Sequence, residues 1–443
     1  MLEGIDPGLL HGALAVVRKL RDHGYEAYFA GGVVRDLILG RIVSDIDIAT
    51  SATPDEIECC FEKTISVGKQ FGVIVVVQNS KNYEVTTFRE DIAYRDGRHP
   101  ENVNFTDAKQ DVLRRDFTVN ALFLDPQTEE VIDYVGGRTD IDVKLIRTVG
   151  SPAQRFEEDQ LRVLRAVRFA SQLGFEIEEE TYRCMKQYSK ELRGVSAERI
   201  GDELLKVFTG IDSARGLRLL LDSGILHVLL PEVAAMNGVP QPPQFHPEGD
   251  VFRHTCIMFE KSEEPSETLS LGILLHDVGK PSTYTVQDRI RFHGHAEVGA
   301  RMADEICRRL RLPTQQIEDV VDLVRDHLRF IHVREMREST LKRFLRKENF
   351  DLHLELHRLD CLASHGNLTN YDFCREKLKE FSEQIMRPKP LISGHDLIAL
   401  GLRPGPLFSE ILTSIEDRQL EEELSSKEQA LSWVKSQYLE TGD

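Results

Sequence analysis

The sequence predicts an α+β protein: a small head with a mixed or antiparallel sheet and flanking helices, then helices for the rest of the chain. Three observations carry this. Short β-branched runs crowd together before residue 150, apolar residues recur at helical spacing after it, and two proline-rich breaks interrupt the helical part. At 443 residues the chain exceeds one ordinary core. The breaks divide it into a head (1–150), a helical neck (151–240), a histidine-bearing helical domain (250–375) and a helical tail (385–443).

Taken in order, Leu10 to Asp22 reads as a helix. "EAYFA", "DIDIAT", "VIVVVQ" and "YEVTTF" read as strands. From "AQRFEEDQLRVLRAVRFASQLGF" onward the pattern is helical, with Gly174 and Gly194 as stops. "NGVPQPPQFHPEGD" (Asn237 to Asp250) reads as a linker and "RPKPLISG" as the second break.

Composition narrows the function. The chain is 41% hydrophobic and 29% charged, as a globular protein is, and no run approaches a membrane span. The start "MLEGIDPGLL" has no basic region followed by an apolar one, so a cytoplasmic location is expected. The seven cysteines are scattered and imply neither disulfide framework nor zinc knuckle. A net charge of −18 argues against a general nucleic-acid binder, so an RNA ligand requires a local basic patch. Arg155, Arg162, Arg165, Arg168, Arg183, Lys186, Lys190 and Arg193 offer one along the neck.

"GGVVRDLILGRIVSDIDIAT" (Gly31 to Thr50) carries the chemistry of the head. On a strand Asp45 and Asp47 share a face, with Ile46 and Ile48 on the other. Adjacent carboxylates repel unless a cation lies between them, and Mg²⁺ takes oxygen ligands together with phosphate. Gly31 and Gly32 permit close backbone approach, and Arg35 offers a fork for a triphosphate. Taken alone, the aspartate pair better suits a tight turn with a solvated acidic strand end.

The ordered set of motifs resembles the tRNA nucleotidyltransferase and bacterial poly(A) polymerase family, within the polymerase-β-like nucleotidyltransferases. Gly31-Gly32, Arg35, Asp36, Asp45 and Asp47 match its first motif. "RRDFTVNAL", "DYVGGRTDI", "EEDQLRVLRAVRF" and "VSAERIGDELLK" follow as its later motifs. The resemblance implies template-independent addition of CCA to the 3′ end of tRNA from CTP and ATP. It places Gly32, Arg35 and Arg115 on the triphosphate, with Asp116 and Asn120 near the ribose. Glu84 is the candidate third carboxylate, activating the attacking hydroxyl; a surface glutamate is the other reading. Asp159 and Arg162, three apart, are expected as neighbours on one helix face, with Arg165 following and Arg168 further around. Such a pair selects C and A, which offer an amine beside an acceptor nitrogen; a surface ion pair is the alternative.

The stretch Phe88 to Phe105, "FREDIAYRDGRHPENVNF", sits where the family carries a flexible loop, and its full length favours complete CCA addition. Addition of CC or A alone, or of poly(A), remains open. Tail residues gripping the tRNA is an expectation from resemblance only.

His254, His276-Asp277 and Asp360 resemble the metal signature of the HD phosphohydrolase superfamily, and His295 and His327 match the further ligands of its two-metal members. This implies a second divalent metal site and hydrolysis of phosphomonoesters or 2′,3′-cyclic phosphates. An HD phosphohydrolase whose N-terminal part positions RNA is the alternative to the whole reading. His332, His353, His357 and His365 are expected as surface or packing residues.

Overall fold

The computed structural model describes residues 1–66, 68–94, 100–244, 246–286, 288–381 and 383–439. Two compact units emerge: Met1–Ala234 with Arg309–Arg311, and Ala235–Arg308 with Leu312–Asp443.

In the first unit the order is α1 (Pro7–Asp22), β1 (Ala27–Ala30), α2 (Gly32–Ile38), β2 (Ile48–Thr50), α3 (Pro54–Cys60), β3 (Thr64–Ile65), β4 (Val73–Gln78) and β5 (Lys81–Thr87). Then come β6 (Arg89–Tyr94), β7 (Pro100–Phe105), α4 (Ala108–Leu113), β8 (Leu122–Asp125), β9 (Glu130–Asp133) and α5 (Gly137–Asp142). Seven strands form one sheet in the order β3-β4-β5-β2-β1-β8-β9. Only β2 and β5 run parallel within it, so the expected mixed sheet is found.

Helix α1 opens on Asp6, whose side chain accepts from Leu9 N, with Pro7 at the first turn. It lies against the sheet through Gly12, where a Cβ would collide with the Tyr83 hydroxyl. Tyr83 in turn donates to Leu9 O at 2.9 Å. On the sheet, Ala30, Ala49, Phe88 and Phe123 pack against Ala108 and Val112 of α4.

Strands β6 and β7 pair as a separate antiparallel hairpin, Arg89 opposite Phe105 and Tyr94 opposite Pro100. The Asp96-Gly97 tip of the expected loop lies outside the described residues.

The neck corrects one expectation. The helix expected through "AQRFEEDQLRVLRAVRF" is two: α6 (Pro152–Glu158) and α7 (Leu161–Leu173). Asp159 between them is extended, with φ −143° and ψ 104°. Helix α7 ends at Gly174, which has φ 68°, and is followed by α8 (Glu179–Tyr188) and α9 (Ala197–Phe208). Short strands at Leu145–Ile146 and Glu176–Ile177 pair beside α7, so this region is not purely helical.

Among the described residues, the regular structure of the second unit is helical apart from a hairpin of Tyr284–Val286 and Ile290–Phe292 and a single bridge of Pro240 to Asp250. One core gathers Phe330, Phe344, Phe350 and their neighbours. His357 packs there, stacked on Phe330 at 4.4 Å between ring centroids, and burial pushes its imidazole, like that of His353, down to about 4. The tail has its own core of Ile392, Leu397, Ile411, Ile415, Ala430 and Val434. Among the described residues no helix is long and apolar enough to cross a membrane.

Candidate functional sites

Asp45, Asp47 and Glu84 line one cavity of about 870 Å³ in the first unit. The strand expected from Asp45 starts at Ile48, yet the alternation holds: Ile46 and Ile48 are buried while Asp45 and Asp47 are exposed. Parallel pairing of Ile48 with Val85 brings the preceding residues, Asp47 and Glu84, side by side. Asp47 opens to the cavity, yet the protein around it partly desolvates its carboxyl, and the charges of Glu84 and Asp45 add to this. Its carboxyl rises to about 6 despite the opposing pull of Arg115. Three oxygen donors whose mutual repulsion raises a pKa fit a divalent cation.

Gly31 turns the chain from β1 into α2 at φ 73°, a conformation open to glycine. A Cβ there would sit 3.1 Å from Arg115 Nη1. The guanidiniums opposite are held by acidic partners. Arg35 donates through Nε and Nη2 to the two oxygens of Asp36, each at 2.9 Å, and through Nη1 to Asn120 Oδ1. Arg115 donates to Asp111 Oδ2 at 3.2 and 3.0 Å and to Asn120 O at 3.2 Å. Asp111 is buried, and Arg114 takes its other oxygen. Asp111 was missed from the sequence, although its spacing to Arg114 and Arg115, three and four residues, is the helical pair signal.

Asp116 and Asn120 lie in the same cavity, but Asp116 is already engaged. Arg165 Nε donates to its Oδ2 at 2.7 Å. Burial opposes the charge on Asp116, yet Arg165 and Arg162 hold its carboxyl at about 2. Arg168 pairs with buried Glu203 of α9 at 2.8 Å.

The base-selecting pair is arranged differently from expectation. Asp159 and Arg162 are not neighbours on one helix, because Asp159 occupies the break between α6 and α7. Its Oδ1 accepts from Leu161 N at 3.0 Å and its Oδ2 from Arg199 of α9 at 2.8 Å. Arg162 is held by Glu158 at 2.8 Å and donates to the carbonyls of Arg155 and Arg114. Both residues still line the cavity, joined by Arg199 and Lys206, to which the sequence reading gave no role. The proposed basic stripe is also divided. Arg155, Arg162 and Arg168 are buried in ion pairs, whereas Arg183, Lys186, Lys190 and Arg193 are exposed.

In the second unit the six expected ligands converge. His254 Nε2 lies 3.1 Å from Asp360 Oδ1, and His276 Nε2 lies 3.2 Å from Asp277 Oδ2. His295 and His327 approach Asp277 Oδ1 at 3.5 and 3.9 Å and one another at 3.3 Å through Nε2. The ring orientations follow from the other ring nitrogen. Nδ1 of His276, His295 and His327 faces the carbonyl oxygen three residues earlier, of Ile273, Phe292 and Val324, at 2.9, 2.9 and 2.7 Å. A carbonyl only accepts, so each Nδ1 carries a proton and each Nε2 is the ring nitrogen turned to the centre. His276 and His327 each cap a helix C-terminus, where such carbonyls lack a helical partner.

His254 and His276 are buried, and each turns Nε2 to a carboxylate, of Asp360 and of Asp277. His254, His276 and Asp360 form one group able to hold a metal ion, and Asp277, His295 and His327 another. These donors fit a divalent metal, as imidazole with carboxylate does. Burial disfavours charge on His254, but Asp360 and Glu248 outweigh it and raise the imidazole to about 9. Burial and the neighbouring His276 push His327 down to about 4.

Three residues here were missed, Gln241, Glu248 and Lys280. Buried Lys280 donates to Asp277 Oδ2 and to Gln241 Oε1, each at 2.6 Å. Glu248 accepts from Nδ1 of His246 and of His254 at 2.8 and 2.7 Å.

Comparison with known proteins finds family matches in both units. Residues 27–147 match the poly A polymerase head domain, residues 174–237 a probable RNA and SrmB-binding site of polymerase A, and residues 250–353 the HD domain. The CCA-adding enzyme of Bacillus pumilus (strain SAFR-032) is 48% identical over 218 residues, which are 49% of this chain and 54% of that one. That of Geobacillus stearothermophilus is 47% identical over 223 residues, 50% and 55% of the two chains. The chain thus spans about half the length of the curated relatives it matches.

Among solved structures, the Bacillus stearothermophilus CCA-adding enzyme in complex with CTP superposes over 97% of this chain and 98% of its own, with TM-score 0.75 and 28% identity. The Thermotoga maritima CCA-adding enzyme complexed with tRNA_CCA shares the fold, with TM-score 0.60 at 19% identity over 98% and 97% of the two chains.

Proposed function

We propose that this chain, which carries a poly A polymerase head domain, a polymerase A RNA-binding segment and an HD domain in that order, adds CCA to the 3′ end of tRNA from CTP and ATP. The observation that carries this is the cavity in which three carboxylates face a set of clamped arginines. The 3′-hydroxyl attacks the α-phosphate, a new P–O bond forms, and pyrophosphate leaves. Mg²⁺ suits the oxygen-only donors Asp45 and Asp47 and would supply charge stabilisation at the reacting phosphate.

The remaining work belongs to the chain. Glu84, beside Asp47, accepts the proton of the attacking hydroxyl. Arg115 has three of its five N–H donors committed and turns the other two to the triphosphate beside Arg35 and the Gly31-Gly32 backbone. Asn120 and Asp116 meet the ribose, with Arg165 and Arg168 behind them. Asp159 accepts from the exocyclic amine of C or A, and Arg162 donates to the adjacent ring nitrogen. Guanine and uracil present an N–H at that place and are rejected. Such chemistry on tRNA belongs in the cytoplasm.

The test gives the protein three tRNA transcripts ending before CCA, after C and after CC, with CTP and ATP. Completion of CCA on all three supports the reading. Growth stopping at CC, or addition of A to the last transcript only, would identify a partial enzyme.

A second activity is favoured by the converging histidine nitrogens, hydrolysis of phosphomonoesters or 2′,3′-cyclic phosphates at RNA ends. A divalent metal held by His254, His276, Asp277 and Asp360, with His295 and His327 beside them, would supply Lewis acidity toward the phosphoryl group. Release of phosphate from a 3′-phosphorylated oligonucleotide, lost in His276→Ala, tests it.

A further inference from the structure

The proline-rich stretch Asn237 to Asp250 has the composition of a linker but is folded onto the histidine centre. Its ends are tied together: Gln241 N donates to Gly249 O at 3.0 Å and Val251 N to Val239 O at 3.1 Å, and Pro240 bridges Asp250. From this closed loop Gln241 reaches Lys280, and Glu248 reaches His254.

The four histidines of the centre are not equivalent. Three commit Nδ1 to a neutral backbone carbonyl. His254 alone commits it to a carboxylate, Glu248, at 2.7 Å, and that carboxylate is buried with His246 on the same oxygen. A charged acceptor makes the stronger bond and increases the electron density on the opposite ring nitrogen. Nε2 of His254 stands 3.1 Å from Asp360, so a proton on Nε2 would close a histidine–aspartate hydrogen bond across the position a metal needs.

We propose that Glu248 is a positioning residue of this centre: by accepting from Nδ1 of His254 it fixes the ring and aims Nε2, beside Asp360, at a divalent metal. The assignment rests on the metal reading of the histidine domain. His246 shares Glu248 Oε1 and holds the carboxylate in place. The stretch is thereby part of the centre, and the bond from Glu248 explains why its sequence combines prolines with a buried acid.

The experiment titrates Co²⁺ alone into the metal-free full chain, with Asp45→Asn and Asp47→Asn in the background to silence the head carboxylates. Visible absorption reports histidine ligation. Glu248→Gln is expected to weaken Co²⁺ binding about 10- to 100-fold. Its metal-free helix content should stay at the parent value, and in a native head it should add nucleotides at the parent rate. Glu248→Asp, which keeps the charge, should bind Co²⁺ more tightly than Glu248→Gln.

Parent affinity in Glu248→Gln would overturn the assignment while leaving the metal reading intact. Equal losses in the Gln and Asp variants would also overturn it, because the loop rather than the carboxylate would then be what the metal requires. Absence of histidine-bound Co²⁺ in the parent would overturn both.

Discussion

The two centres solve the same electrostatic problem in opposite ways. In the head, Asp45, Asp47 and Glu84 are exposed, and the positive charge opposite them is fastened from behind by Asp36, Asp111 and Asp116. In the histidine centre His254, His276, Asp277 and His327 are buried, and every ring has its outer nitrogen engaged. An open site receives its charge with each substrate and must release it after each turnover. A buried one favours a resident ion. The difference teaches that acidic side chains can do two jobs: Asp36, Asp111 and Asp116 of the head fasten guanidiniums, while Asp277 and Asp360 of the second unit stand among imidazoles as candidate metal ligands.

The largest effect that would sharpen this contrast is in the head. Asp47→Asn should lower nucleotide addition by on the order of 10³-fold, as loss of a transition-state contact does, and leave Co²⁺ binding by the histidines unchanged. Parallel losses in both assays would mean the centres are not independent.

Next is selectivity. Asp159→Ala should narrow the preference for CTP over UTP by roughly 10- to 100-fold, since one good base contact is worth about 1–3 kcal/mol. Incorporation of each nucleotide onto one transcript measures it; an unchanged ratio would remove Asp159 from base selection.

Glu203→Ala leaves Arg168 buried without its partner, and the stability of the first unit should drop by about 3 kcal/mol. Acid acts through Asp116, whose folded value of about 2 lies below its ordinary 3.8. The stabilisation is therefore complete above about pH 4 and is lost as pH falls toward 2. Urea melts of the parent and of Asp116→Asn across that window should converge at its acidic end.

The smallest effect is electrostatic. Lys186→Glu with Lys190→Glu should weaken tRNA binding and flatten its salt dependence by about two counterions. No change in slope would remove Lys186 and Lys190 from the RNA contact and leave Arg183 and Arg193 as the exposed basic residues of the expected stripe.

Much of this was legible in the sequence because its signals are local. The alternation around Ile46 and Ile48 gave the carboxylate face, and His276-Asp277 stood out by resemblance, while its place at a helix end came only from the structure. The break at Asp159 was not read because "EEDQL" contains neither Gly nor Pro. The signal was Asp159 itself, an acceptor two residues before the first free N–H groups of α7. Glu248 was hidden for the opposite reason: prolines around it advertised a loop, and composition says nothing of what a loop's side chains touch. Asp111 and Arg199 were obscure because their partners, Arg115 and Asp159, already had roles that explained them.

The most direct measurement places one transcript ending before CCA with CTP and ATP, and compares the parent, Asp45→Ala and a His276→Ala/Asp277→Ala variant at single-nucleotide resolution. The account predicts complete CCA from the parent and from the histidine-centre variant, and no extension from Asp45→Ala. Extension by Asp45→Ala at the parent rate, or none by the parent, would contradict it.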